Sequence, residues 1–440
     1  MRRDKMIFGE DVIVSTDCHK TGLNNNVLVC GSSGCGKTMS VIEPRLLETY
    51  NSNLIVTVTK RRIVEKYMSV FRERGYRVLD LNLIHPMKSN VIYDPLQYVK
   101  SYNDARFLAE SIVMAESRKR ITIADPYWDK AAMSLLTAEI GCIIKTNPKA
   151  TFADVLNLNE RLKITNEGFG NISKMETTLD REFEKFARSY PTHYANACWN
   201  TFHCVPIKTA SCILSELNSA IDDMFSPELR RAMVNRRKIN FKKFAEEKSV
   251  LFISSSAVNR TTHYFVNIFY GQMFKELFEY AQECPYGQLP IPIHVLCDDF
   301  ATGGKILNFP EYISIFRETQ MSVTMLIQSE SQLQRMYSTA DAITIINNCD
   351  TYIYMGGTDI TTVRDISIKL NEPMDEILYM PLNREIIFRR GSKPIVTNRY
   401  NVLEDKRYQK ITSDYEKKQK KVKHSVTSKN ESVYIEKTGA

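Results

Sequence analysis

Apolar residues fall along this 440-residue chain in two rhythms. Short, mainly apolar runs occur at 26–30 (NVLVC), 53–58 (NLIVTV) and 77–81 (RVLDL). That is the pattern of strands buried on both faces of a parallel sheet. Between the first two, KTMSVIEPRLLETY has helical spacing but carries Pro44, which is expected to kink or break the helix. From about 101 to 216 the rhythm becomes that of amphipathic helices: DARFLAESIVMAES, DPYWDKAAMSLLTAEIGCIIK, TFADVLNLNERLK, NISKMETTLDREFEKFARSY and KTASCILSELNSAIDDMF. No convincing strand separates them. Alternation resumes with SVLFIS (249–254), a long helix from Thr262 to about Gln282, IPIHVLC (291–297), MSVTMLI (321–327) and TYIYM (351–355). The pattern predicts an α/β fold whose mainly parallel sheet is begun, interrupted by an all-α insertion, and completed. No internal repeat is visible.

Composition changes this picture little. Hydrophobic content of 43% and charged content of 25% are ordinary for a soluble globular chain of two or three domains. No apolar run approaches the ~18 residues needed to cross a bilayer, and MRRDKMIFGE is not a signal peptide. Ten cysteines are scattered through the chain without a paired framework, which fits a reducing cytoplasm. The net charge is +8, and DKRYQKITSDYEKKQKKVKHSVTSK, after Glu404, holds much of it. That tail reads as flexible or marginally helical: a solubilising terminus, or a contact for nucleic acid or anionic lipid. The expected division is 1–100 and 217–404 for the two parts of a nucleotide-binding domain, 101–216 for the all-α insertion and 405–440 for the basic tail.

The chemistry begins at LVCGSSGCGKT. Gly31, Gly36, Lys37 and Thr38 satisfy G-x-x-x-x-G-K-S/T, with Ser32, Ser33, Gly34 and Cys35 filling the loop. Glycines there let backbone N–H groups turn toward phosphate oxygens, Lys37 would neutralise the β- and γ-phosphates of ATP, and the Thr38 hydroxyl would bind Mg²⁺. The motif follows an apolar strand and precedes a helical run, the context that makes it specific. A second half-site is expected at another strand end, and CDDFATGG provides it. Asp298 would hold Mg²⁺, and Asp299 would orient or deprotonate the attacking water; the plainer reading is a helix cap or turn. Gln328 closes MSVTMLIQ, where its amide could sense a γ-phosphate or simply cap a helix. Arg317 ends a helical stretch, where arginine is often only solvated. His193, Cys198, His203 and Cys204 match no standard zinc spacing and read as a helix face. Tyr127 and Trp128 read as core or domain-interface aromatics.

TGLNNNVLVCGSSGCGKT, CDDFATGGKI, IFRETQMS, LIQSESQLQRMY and IINNCDTYIYMGGTD stand in the order and spacing of VirD4/TraG-type type IV secretion coupling proteins. The chain resembles that family over most of residues 10–400. The resemblance implies a RecA-like P-loop ATPase with an all-α domain that contacts a relaxase–DNA substrate. It implies conjugative single-stranded DNA translocation into a type IV secretion channel, energised by ATP hydrolysis in a ring that is expected to be a hexamer when active. By the same resemblance Lys37 and Thr38 are the phosphate and Mg²⁺ ligands, Asp298 the strand-end acid and Gln328 the sensor. Arg317 stands where the family offers an arginine to the neighbouring subunit's nucleotide.

Two features depart from the family. Asp299 stands where the family usually has Glu, so its carboxylate lies one methylene further from the water. Members usually begin with transmembrane helices, whereas this chain starts almost directly at the nucleotide domain. The expectation is a cytoplasmic protein at the inner face of the membrane, held by a partner or docked on the channel's base. Competing readings are an FtsK-like or other secretion motor, and a nucleotide-gated docking platform that does not hydrolyse ATP.

Overall fold

The computed structural model describes residues 3–117, 125–165, 175–222, 224–256, 258–259, 261–300 and 304–437, with side chains to residue 421 except at 116 and 117. Residues 171–174 and 223 of the expected helices, and 301–303 of the CDDFATGG stretch, lie outside the described residues.

Eleven strands are described. β1 (Lys5–Ile7) and β2 (Ile13–Ser15) form a small antiparallel pair. The others are β3 (Val27–Cys30), β4 (Asn53–Val58), β5 (Arg77–Asn82), β6 (Ser249–Ser254), β7 (Ile293–Cys297), β8 (Met321–Ile327), β9 (Thr351–Tyr354), β10 (Arg384–Arg389) and β11 (Ile395–Asn398). They build one nine-stranded sheet in the order β11-β10-β9-β3-β8-β7-β4-β6-β5. From β9 to β5 every pairing is parallel, and β10 and β11 add an antiparallel edge. The mainly parallel sheet is therefore as the sequence pattern required. The hairpin β10–β11 escaped that pattern because arginines bound the short apolar stretch of REIIFR, and IVTN is a four-residue edge strand with mostly exposed positions.

The central strands β3, β4, β6, β7 and β8 are mostly apolar and buried along their whole length because both faces are covered. Leu28 and Cys30 of β3 join one core with Ile55, Ile253, Val295 and Met325. Val27 and Val29 point the other way, into a core with Leu54, Val56, Phe252 and Leu326. The helix Arg61–Glu73 closes this second face through Ile63, Val64, Tyr67 and Phe71. On the first face lies the helix Thr261–Glu283, and an aromatic cluster joins it to the helices between β5 and β6. Tyr93 lies 5.3 Å from Phe265 and 5.2 Å from Phe269, and Tyr98 stacks on Phe241 at 4.3 Å.

Between β5 and β6 the described elements are helical, apart from isolated bridges such as Ile164 with Thr177. Residue 216 falls inside the helix Ile207–Asp222, and two further helices, Pro227–Asn235 and Phe241–Glu246, precede β6. We therefore propose that the insertion extends to Glu246.

Two local expectations are met only in part. Pro44 does not break its helix: a π-helical turn, Thr38–Ile42, runs straight into Glu43–Glu48, with Glu43 N–H bonding Thr38 O. Pro44 thus lies just past the π-helical turn, so the irregularity expected at the proline is that turn and not a break. The basic tail is a helix, Lys406–Lys437, and is not free at its start. Tyr408 is buried and Ile411 packs on the second core. Arg407 meets Glu48 at 2.6 Å, and the Lys66 ammonium sits 4.0 Å over the Tyr408 ring. An apolar stripe three residues apart, hidden in a lysine-rich composition, fixes this stretch.

Candidate functional site

A parallel sheet places every strand's C-terminal end along one edge. β3 lies between β8 and β9, so the loops leaving it and its neighbours open a crevice there. The loop Gly31–Thr38 occupies that crevice. Gly31 N–H bonds Ile327 O at 3.2 Å, and Ser32 N–H bonds Gly356 O at 2.9 Å, which braces the loop against both neighbouring strands. A Cβ on Gly31 would lie 2.8 Å from Cys35 Sγ and 3.0 Å from Met355 Cβ, so a side chain there cannot fit without movement. Gly34 and Gly36 have φ of +80° and +88°, a region that favours glycine. Ser33 and Gly34 are exposed at the tip. Lys37 is buried, its Nζ donating to Gly31 O at 2.5 Å and Ser32 O at 3.0 Å. The ammonium thus spans the loop, while Thr38 opens the helical turn whose positive N-terminal end faces the same crevice.

At the end of β7, Asp298 is 9% exposed. Thr38 Oγ1 donates to its carboxylate, 3.2 Å from Oδ1 and 3.3 Å from Oδ2. Burial, reinforced by the charge of Asp299, pushes the Asp298 pKa up to about 6, while the Thr38 hydroxyl and the cationic Lys60 and Lys37 pull it back. A carboxylate and a hydroxyl converging in a strand-end crevice are hard oxygen donors of the kind Mg²⁺ takes when phosphates complete its shell. The residues therefore fit that ion. Asp299 follows with φ +56°, a strained conformation for a non-glycine residue.

Gln328 leaves β8 beside the loop: its carbonyl lies 3.9 Å from Cys30 Sγ, and its side chain is exposed. Lys37, Thr38, Asp298, Asp299 and Gln328 are thus brought to one edge. Arg317 is not. It lies in the last turn of the helix Phe309–Thr319, just ahead of β8, and its charge is felt at Cys18 near the N-terminal end of the sheet. Seven residues of β8 separate the two edges, roughly 23 Å at the usual strand rise.

Two contributors were missed in the sequence. Lys60, exposed after β4, lowers the pKa of Asp298. Arg399, just past β11, donates from Nη1 to Cys35 O and from Nη2 to Met355 O, with Nε bonding Arg384 O at 3.0 Å. Nothing local marks Arg399, because its partner Cys35 is 364 residues away. The TYIYMGG stretch did carry a signal, since Gly356 takes φ +83° and accepts from Ser32. The histidine–cysteine segment forms the helix Tyr194–His203, with His193 capping its start and His203 3.1 Å from Asp180. No group of three metal-ligating side chains occurs among the described residues. Trp128 packs against the core, and Tyr127 is exposed.

A family model described as "Type IV secretory system Conjugative DNA transfer" matches residues 1–372. Among solved structures, the bacterial conjugative coupling protein TrwBdeltaN70 with sulphate is 14% identical with a TM-score of 0.66, over 91% of this chain and 89% of that one. The plasmid coupling protein TrwB with the non-hydrolysable ATP analogue ADPNP is 13% identical at 0.65, over 91% and 89%. TrwB with ADP and Mg²⁺ is 15% identical at 0.63, over 86% and 85%. At these identities the likeness is one of fold. No curated protein sequence matches the chain.

Proposed function

Because the chain belongs to the type IV secretory system conjugative DNA transfer family, we propose that it is an ATP-driven coupling protein. It would bring a relaxase–DNA substrate to a type IV secretion channel and drive transfer by hydrolysis. The observation that carries this reading is the meeting of Lys37, Thr38 and Asp298 around a loop braced to strands on both sides. TrwB, of the same fold, has been seen with an ATP analogue and with ADP and Mg²⁺. In this chain, backbone N–H groups of residues 31–38 and the Lys37 ammonium would hold the phosphates. Thr38 and Asp298 would hold Mg²⁺, which neutralises charge on the transferred phosphoryl group. Asp299 would orient the attacking water, and Gln328 would report the γ-phosphate.

Arg317 lies too far from its own loop to serve it. In a ring, proposed to be hexameric, it would reach the neighbouring subunit's nucleotide, where a guanidinium adds on the order of 10³-fold or more in rate. Turnover would then depend on assembly. The helical insertion would meet the relaxase–DNA complex. No helix among the described residues is long and apolar enough to cross a membrane, and membrane attachment is proposed to come through a partner.

The test is ATPase activity with and without single-stranded DNA. Lys37→Ala should abolish turnover in a folded protein. Arg317→Ala should bind ATP normally and turn over poorly, and mixing it with Lys37→Ala should restore part of the activity. An active Lys37→Ala protein would end the reading. The short, strained Asp299 favours a second reading, a platform that binds ATP without turnover. It predicts nucleotide-dependent relaxase capture with no phosphate release.

A further inference from the structure

Most of the loop's bracing comes from its own strand and the two beside it, but one contact comes from far along the chain. Arg399 lies beyond the residues matched by the family model, in the segment that leaves β11 for the C-terminal helix. Its guanidinium bridges the carbonyls of Cys35, inside the loop, and Met355, at the end of β9. A third donation, to Arg384 O, ties it to β10.

The geometry of the peptide unit gives this bridge a consequence. The Cys35–Gly36 peptide is trans, so Cys35 C=O and Gly36 N–H point in opposite directions. Gly34 and Gly36, both at positive φ, leave the loop tip free to turn its peptides either way. In one orientation Gly36 N–H faces into the cradle as a phosphate donor. In the other, Cys35 O faces in and repels the phosphate. Arg399 fixes the carbonyl on its own side, which aims Gly36 N–H away from it. The nucleotide reading then requires the phosphates to lie on that side.

The surroundings keep the guanidinium's charge available. Glu385 of β10 is buried, neither carboxyl oxygen has a hydrogen-bond partner, and burial pushes its pKa up to about 8 against the pull of Arg399. At neutral pH it is mainly protonated and does not neutralise its neighbour. The Lys37 ammonium is engaged with Gly31 O and Ser32 O and does not fix the Cys35 carbonyl.

We infer that Arg399 is a positioning residue for the phosphate loop, holding the Cys35–Gly36 peptide so that its N–H is presented to a nucleoside di- or triphosphate. The inference rests on the nucleotide reading of this site. It acts through the loop and touches no reacting atom.

The experiment measures affinities of the full chain for Mg·ATP, ADP and adenosine by calorimetry, in wild type, Lys37→Ala, Arg399→Ala, Arg399→Lys and Arg399→Gln. Losing the orientation of a hydrogen bond to a charged phosphate should weaken ATP and ADP about tenfold to a hundredfold. Adenosine binding and the melting temperature should stay where they are. Lysine should recover only part, because an ammonium lacks the planar fork that spans two carbonyls. Glutamine keeps one planar donor group and covers the case in which alanine unfolds the loop. Equal ATP affinity in wild type and the Arg399 variants, with Lys37→Ala impaired, overturns this inference alone. So does a parallel fall of ATP affinity, adenosine affinity and melting temperature in every Arg399 variant, which would make the residue merely structural. If wild type and Lys37→Ala both fail to bind, the nucleotide reading itself fails and takes this inference with it.

Discussion

Glu139 is fully buried in the helix Pro126–Thr146, at the centre of the insertion proposed to meet the substrate. The polar contact described for its carboxyl is Asn159 Nδ2, at 3.2 Å from Oε1 and 3.4 Å from Oε2. Burial pushes its pKa from 4.5 up to about 8, with the Asn159 bond pulling the other way. Between those values the folded protein keeps a proton that the unfolded chain has released. The associated stability is therefore full below pH 4.5 and is lost progressively as the pH rises toward 8. At pH 7 the gap from the unfolded value is about 2.5 pH units, or roughly 3 kcal/mol at ~1.4 kcal/mol per unit. Glu139→Gln removes the ionisation and keeps an acceptor for Asn159. The variant should match wild type near pH 4.5, exceed its stability by about 3 kcal/mol at pH 7, and gain further toward pH 8. Both tryptophans of the chain, Trp128 and Trp199, lie in this helical region, so urea unfolding followed by their fluorescence reports on it directly. A stability difference that stays constant from pH 4.5 to pH 8 would refute the reasoning, because it would mean that the carboxyl is already solvated or ionised in the fold.

Other perturbations probe the sheet, the loop and the tail. His294 is buried between Ser322 Oγ at 2.5 Å and Thr324 Oγ1 at 2.8 Å, and burial holds its pKa well below 6.5. It contributes stability above pH 6.5 that is lost as the pH falls toward its folded value; His294→Gln should lose that acid sensitivity in thermal unfolding, and an unchanged pH profile would contradict it. Gly31→Ala should destabilise by about 1–3 kcal/mol through overpacking. Cys35→Ala should relieve part of that loss, since Cys35 Sγ is the nearest atom to the new methyl group; strict additivity of the two changes in denaturant titrations would argue against the clash. Tyr408→Ala should release the start of the C-terminal helix, since it removes the buried ring beneath Lys66. Faster tryptic cleavage at Lys410 and beyond, with the rest of the chain protected, is the expected result, and unchanged cleavage would show that Arg407 and Ile411 suffice.

The chain by itself determined what depends on neighbours in sequence. VLVC is apolar at every position and NLIVTV at all but Asn53 and Thr57, and both are buried along their whole length, as a strand covered on both faces must be. The loop Gly31–Thr38 could be read because its glycines, lysine and threonine act within eight consecutive residues, and a strand and a helix flank them. Asp298 and Gln328 could be placed at strand ends because each directly follows an apolar run.

Tertiary structure decided what depends on distant partners. Only the strand order places β7 and β8 on one side of β3 and β9 on the other, so that Asp298 meets Thr38 across 260 positions and Ser32 meets Gly356. It also puts Arg317 on the far edge, although only ten residues separate it from Gln328, because an intervening strand carries the chain across the sheet. Arg399 had no local signature at all, since a guanidinium that bridges two carbonyls is specified by where the backbone happens to be. In the basic tail, helix was one of the readings but the docked start was not legible, for the opposite reason: composition averages over all its lysines, whereas docking depends on two or three apolar side chains finding the helix Arg61–Glu73. Local pattern fixes conformation because it acts through the backbone's own hydrogen bonds and the burial of one face. Proximity between remote residues follows from the order in which strands pair, and that order is settled only when the whole sheet is assembled.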